Sequence, residues 1–352
     1  MSTKMLFTAV LVLMTSAGTS AAQEAKWYRG NTHAHTSNSD GNASPEFVAG
    51  WYRDHGYAFV VITDHEYVTD VAPLNAQLAR PDSFLVMSGQ EITQQVVDPT
   101  RLTSPRQAHV VAIGASSVIQ PLGIRGIATG PSLADTYERN VGLVRDAGAL
   151  AQVNHPNFKW SVQPDDMSHL PDSTLFEVWN GQPHINNAGG DDGAGHSALS
   201  TDALWDTLLT RGRILFGVAS DDAHKYQPDQ LQDFDATRPG GGWVMVRASS
   251  LSQAAIMSAM RAGDFYASNG VRLADYRATR KDIHVVVAPP ENARDDRRYH
   301  TRFVGRGGRV LADVAGFDAR YDIRGDEGYI RAVVTDSNGR RAWTQPVIVV
   351  RR

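Results

Sequence analysis

Along the chain, short unbroken apolar runs alternate with stretches whose apolar residues recur every three or four positions. The runs are 58–63 (AFVVIT), 83–90 (SFLVMSGQ), 109–114 (HVVAIG), 149–154 (ALAQVN), 175–180 (LFEVWN) and 214–220 (ILFGVAS). Most lack strict alternation, which is the pattern of strands covered on both faces in a parallel sheet. Helical stretches fall between them. In SPEFVAGWYRDHG, Ser44 is the N-cap, Pro45 the first helical residue and Gly56 the stop, with Phe47, Val48, Trp51 and Tyr52 on one face. SLADTYERNVGLVRDAG, STDALWDTLLTRG and SLSQAAIMSAMRAG follow the same grammar. Repeated strand–helix units with six or seven parallel strands predict an α/β fold, a closed and irregular (β/α) barrel. The Gly- and Asn-rich stretch 181–200 predicts a long loop.

From Gly270 onward the period becomes two, with turn pairs at Gly307-Gly308 and Asn338-Gly339. This predicts a small antiparallel β-sandwich over 270–352, following an α/β domain over 23–269. Residues 1–22 read as a cleavable signal peptide: Lys4, the apolar run MLFTAVLVLM, then Ser20-Ala21-Ala22 before Gln23. The run is too short to span a bilayer comfortably. The expectation is a periplasmic or secreted protein with no membrane attachment after cleavage. Cysteine is absent, so no disulfide contributes and stability must come from the core.

Composition, at 42% hydrophobic and 20% charged, argues against disorder, and a net charge of −4 gives no global sign of binding to a nucleic-acid polymer. The charge is uneven: from residue 271 on, 17 basic residues face 11 acidic ones, a balance of +6, which leaves −4 − 6 = −10 for the rest. An acidic first part suits a protein that collects cations there.

The polar residues sharpen this picture. His33 and His35 lie two apart at the end of the first strand candidate, 26–35 (KWYRGNTHAH), so both side chains share one face of an extended segment. Asp64 and His65 end AFVVIT, Glu91 follows SFLVMSGQ, His155 follows ALAQVN, and Asp222 and His224 follow ILFGVAS. Metal-ligating residue types thus cap successive strands at their C-terminal ends, which share one face in a (β/α) barrel. Any one of these residues alone is more simply read as a hydrogen-bonded histidine, a helix cap or a surface charge. The joint pattern is different, since six of the 12 histidines, these five and His109, fall beside the strand candidates. His109 is the odd member, because it begins its run instead of ending it.

In order, HAH…SDG, ITDH, GQE, HVVAIG, NHP and SDDAH resemble the motifs of the PHP (polymerase and histidinol phosphatase) family of metal-dependent hydrolases, over roughly residues 27–268. EVWNG, the second Asp of SDD and the tail AWTQPVIVV are most similar to the exported, carbaryl-hydrolase-like (CehA/McbA-type) branch. The resemblance implies a distorted (β/α)7 TIM-like barrel holding two or three divalent ions. Carried over by motif, His33, His35, Glu91 and Asp222 would hold the first ion. Glu91 would bridge to a second ion, bound also by His109 and His155. Asp40, His65 and His224 would hold a third, although the SDG around Asp40 is also a good turn. Asp64 would orient a ligating imidazole, and Asp221 would stand behind the ligands or serve the structure.

A mixed imidazole and carboxylate set suits Zn, Mn or Fe(II) better than Ca or Mg. Two bridged ions would supply a hydroxide nucleophile, positioned by Glu91 and Asp222 as ligands. With no Cys and no Gly-x-Ser-x-Gly elbow, covalent catalysis is not needed. Substrate contacts are expected from Arg101, Arg106, Lys159, Lys225, Asn180, His184 and His196, each also readable as a surface residue, with Trp160 and Trp179 lining the pocket or, for Trp179, the core.

Three functions compete. The first is a metal-dependent phosphoesterase acting on a small phosphorylated molecule or nucleotide. The second is a carboxylic ester, amide or carbamate hydrolase. The third is a non-catalytic module binding a ligand or glycan through the C-terminal strands.

Overall fold

The computed structural model describes residues 24–97, 105–124, 126–128, 132–227, 237–290, 292 and 296–350. The expected signal peptide and Arg101 lie outside the described residues. The first part of the chain runs β1 (Lys26–Asn31), α1 (Pro45–Asp54), β2 (Phe59–Ile62), α2 (Val71–Leu78), β3 (Leu85–Val96), β4 (Arg106–Ile113), α3 (Leu133–Asp146), β5 (Leu150–Val153), β6 (Leu175–Asn180), α4 (Thr201–Thr210), β7 (Phe216–Ser220), β8 (Trp243–Ala248), α5 (Gln253–Ala262) and β9 (Phe265–Ser268). Serine starts α1, α3, α4 and α5: Ser44, Ser132, Ser200 and Ser252 each accept a hydrogen bond from a backbone N–H three residues on. Each such cap contributes about 1 kcal/mol.

The sheet is mixed. In space the strands lie in the order β7-β6-β5-β4-β3-β2-β1-β8-β9. The pairs β1–β2, β2–β3, β5–β6 and β6–β7 are parallel, but β4 runs antiparallel to both β3 and β5. The ladder of the described residues is open, so the closed barrel of parallel strands expected from the sequence is not formed by it. One isolated bridge, Ala34 to Ala223, joins the chain just past β1 to the chain just past β7. It carries two bonds, His35 N–H to Ala223 O and Asp222 N–H to His33 O, both 3.0 Å. α5 sets Ile256 and Met260 in one apolar cluster with Phe59, Leu175 and Phe216, the first residues of β2, β6 and β7. The opposite ends of those strands are left for polar residues.

The C-terminal part continues through β10 (Leu273–Ala278), β11 (Asp282–Val287), β12 (Tyr299–Gly305), β13 (Arg309–Ala315), β14 (Asp318–Asp322), β15 (Tyr329–Asp336) and β16 (Arg341–Thr344). It extends the large sheet, because β9 pairs antiparallel with β16 and the order runs on as β16-β15-β12-β13. A separate three-stranded sheet, β10-β11-β14, contributes Tyr276, Ile283 and Val285 to an apolar cluster with Phe303, Ile330 and Val334.

Candidate metal centre

Strand ends deliver the donors. His33 and His35 follow β1, Asp64 and His65 follow β2, His155 follows β5, and Asp222 and His224 follow β7. Glu91 lies within β3 and is brought beside His65 by an isolated bridge. The antiparallel course of β4 explains His109: its early residues reach the end of the sheet that its neighbours reach with their last ones, and His109 pairs with Thr93.

Three groups of donors result, each with its atoms mutually within 4.8 Å. The first is His33, His35, Glu91 and Asp222, all buried. His33 Nε2 and His35 Nε2 stand 3.0 Å apart. Glu91 Oε2 lies 3.2 and 3.3 Å from them, and Asp222 Oδ1 3.2 and 3.1 Å. Four ligands held about 2.0–2.1 Å from one ion in a tetrahedron are separated by about 3.3 Å, so these spacings fit a single divalent ion. The second group shares Glu91, whose Oε1 is 3.1 Å from His109 Nδ1 and 3.3 Å from His155 Nε2. The third is looser: Asp40 lies 3.6 Å from His35 Nδ1, 3.6 Å from His65 Nε2 and 3.4 Å from His224 Nε2. His35 appears in both the first and third groups, but a neutral imidazole has one lone pair, and the closer Nε2 contacts commit it to the first.

His35 Nδ1 and His109 Nε2, the ring nitrogens not turned to the first and second groups, are buried without hydrogen-bond partners. Two backbone conformations are also strained: His155 has φ +25° and Asp222 φ +52°, in the region that side chains other than glycine avoid. The titration of the groups reflects crowding. Burial acts to lower His35, but hydrogen bonds to Asp222 and Glu91 outweigh it and raise its pKa to about 9. Burial pushes His109 down to about 4 despite Glu91. Burial acts to raise Glu91, yet His33, His65 and His109 hold it well below the usual carboxylate range. The spacing and mix of the donor atoms fit divalent ions of the type that take nitrogen and oxygen ligands.

Several expected roles change. Asp64 orients no ring among the described residues; it accepts from Thr36 N–H (2.7 Å), Thr36 Oγ1 (2.8 Å), Ser39 Oγ (2.9 Å) and Thr69 Oγ1 (2.8 Å), fixing the loop that carries Asp40. The carboxylate that orients an imidazole is Glu177, which accepts from His33 Nδ1 at 2.8 Å. Asp221 is structural, accepting from Tyr52 OH and Gly242 N–H, and burial pushes its pKa up to about 6. Arg106 is not a substrate contact: it is buried, bonded to Ser161 O and paired with Asp166. Asn180 is likewise buried and serves the ligands, donating to Glu177 Oε2 (2.8 Å) and Asp222 Oδ2 (3.1 Å).

His196 pairs with Asp192 of its own loop, His184 is exposed, and Lys159 projects over Phe158 at 5.2 Å; none of the three is among the residues that wall the cleft. Trp179 packs on Trp343. Above the donors is a cleft of about 480 Å³, walled by Thr93, Gln95, Gln107, Phe158, Gln182, Ile185 and Lys225.

Sequence reasoning missed Glu177, Asn154 and Gln182. The signal for Glu177 was a carboxylate inside an apolar strand, LFEVWN, where an unpaired charge is not tolerated.

No family model matches the chain, and no curated protein matches it. Solved structures similar to it include a two-domain protein from Bacteroides vulgatus containing a predicted PHP-like metal-dependent phosphoesterase (16% identity, 88% of this chain and 91% of that one, TM-score 0.48). A candidate metal-dependent phosphoesterase from Bifidobacterium adolescentis (13%, 55% and 87%, TM-score 0.38) and an amidohydrolase from Chromobacterium violaceum (17%, 60% and 93%, TM-score 0.36) are also similar. These likenesses are distant.

Proposed function

We propose that this protein is an exported metal-dependent hydrolase of PHP type, acting as a phosphoesterase on small phosphorylated molecules or nucleotides. One observation carries the hydrolase reading: nine donors, far apart in sequence, converge in three groups, two of which share Glu91. Residues His33, His35, Glu91 and Asp222 would hold one ion, Glu91, His109 and His155 a second, and Asp40, His65 and His224 a third. When bound, such a pair of ions lowers the pKa of water from 15.7 towards about 7, which makes a hydroxide nucleophile available near neutral pH. The chain's own residues do the rest. Glu91 joins the first and second donor groups, and Asp222 closes the first. Lys225 stands at the cleft wall, placed to meet an anionic substrate group. Phe158 and Ile185 offer an apolar surface to the rest of the substrate.

The neutral walls, Gln95, Gln107 and Gln182 with Phe158 and Ile185, favour a second reading: hydrolysis of a carboxylic ester, amide or carbamate, as in the carbaryl-hydrolase-like branch. The intact donor set speaks against a non-catalytic module. Elemental analysis of purified protein, followed by a panel of phosphate monoesters, nucleotides, aryl esters and carbamates with each metal restored, tests these readings. A protein that takes up no divalent ion and hydrolyses nothing in the panel would refute them.

A further inference from the structure

The first and second donor groups share a feature behind Glu91. Glu177 is fully buried in the middle of β6, and its described hydrogen-bonding partners are all donors. Oε1 accepts from His33 Nδ1 at 2.8 Å, from Gln152 Nε2 at 3.3 Å and from the Ser220 hydroxyl. Oε2 accepts from the His155 backbone N–H at 2.6 Å and from Asn180 Nδ2 at 2.8 Å. Two relays extend its reach: Asn180 also donates to Asp222 Oδ2, and Gln152 donates to Asn154, which donates to Glu91 Oε1 at 2.7 Å. One carboxylate therefore touches a ligand of the first group by its side chain and a ligand of the second by its strained backbone.

Resting on the metal-site reading above, we propose that Glu177 is a positioning residue that makes the first two ion sites one unit. An acceptor-only carboxylate holds the proton of His33 on Nδ1 and so keeps the Nε2 lone pair facing Glu91 and Asp222. The other oxygen anchors the His155 N–H and steadies the left-handed turn that aims its ring at Glu91. An amide in place of the carboxylate cannot serve both ends. It presents an N–H either to His33, where the ring must move its proton to Nε2 and lose its lone pair there, or to the His155 N–H, which has no alternative tautomer.

The test is titration of metal-free protein with Zn or Mn, followed calorimetrically, for wild type and Glu177→Gln, with Glu177→Asp as the conservative variant. The expected result is that the two tight equivalents weaken together by 10–100-fold, the range typical of partners that orient metal ligands, with partial recovery in Glu177→Asp. Unchanged affinities, or loss of one ion with the other untouched, would overturn the proposal. Wild type that binds no ion would instead overturn the metal reading, a different failure. Should Glu177→Gln not fold, NMR of wild type labelled with 15N-histidine decides: His33 must show a protonated, hydrogen-bonded Nδ1 with Zn absent and present, and an Nδ1 without its proton overturns the proposal.

Discussion

Two buried clusters of charge in this molecule differ in a telling way. Where α4 meets β15 and β16, Arg331 is 1% exposed and donates to both carboxylate oxygens of Asp206 at 2.8 Å and to Asp202 at 3.1 Å. Tyr329 OH adds a bond to Asp206, and Trp343 Nε1 and Arg341 bond to Asp202. The one unpartnered nitrogen, Nη1, belongs to a guanidinium lying 4.7 Å over the Trp205 ring. Opposite charges answer one another, and Nη1 of Arg331 alone lacks an acceptor. Around Glu91, by contrast, the Nε2 atoms of His33 and His35 face each other at 3.0 Å, with Glu91 Oε2 and Asp222 Oδ1 3.1 to 3.3 Å from both. Burial of charge alone does not mark a functional site; donor atoms gathered at the spacing of one ion's ligands point to one.

Perturbing the two clusters should sharpen that contrast. Glu91→Ala, which removes the carboxylate common to two groups, should strip ions and lower hydrolysis by about a thousandfold or more, upward of ~4 kcal/mol in transition-state terms; elemental analysis with turnover of the best panel substrate checks it. Arg331→Met leaves Asp206 buried without its partner and should cost about 3–5 kcal/mol of stability, read as a fall in denaturant midpoint, with metal content unchanged. Loss of ions in that variant would erase the distinction between the clusters. Chelation should lower the melting temperature of wild type, because ions present at about 100 times their Kd stabilise by about 2.7 kcal/mol, and should leave Glu91→Ala nearly unmoved. The smallest effect belongs to Lys225→Met: a partly exposed cation contributes about 1 kcal/mol, so KM for a phosphate monoester should rise roughly fivefold while that for a neutral ester stays constant.

Much of this was legible because strand ends are local. An apolar run that stops at His65 or His155 shows in the sequence both the strand and the donor it delivers. Four of the five helices were equally readable, since Ser44 with Pro45, and Ser132, Ser200 and Ser252, announce their starts through backbone bonds to near neighbours, whereas α2, capped by Asp70, was missed. What depended on pairing was not legible. The direction of β4 is set by its ladder to β3 and β5, and without it His109 looked misplaced. Arg106 resembled a free cation because Asp166 is sixty residues away in sequence. Glu177 was hidden for the same reason: its partners come from after β1, from β5 and just past it, and from the ends of β6 and β7. The extension of the large sheet through β9 and β16 was also invisible, because a period of two reveals a strand but not its neighbour.

That last pairing bears on how the protein is made. β9 leaves the ribosome long before β16, and until residues 341–344 emerge its outer row of amide and carbonyl groups has no mate. A bare strand edge is a template for joining another chain, so nascent or truncated copies that stop before β16 should be the species that chaperones hold and that aggregate, whether or not the cation-binding end has already taken shape.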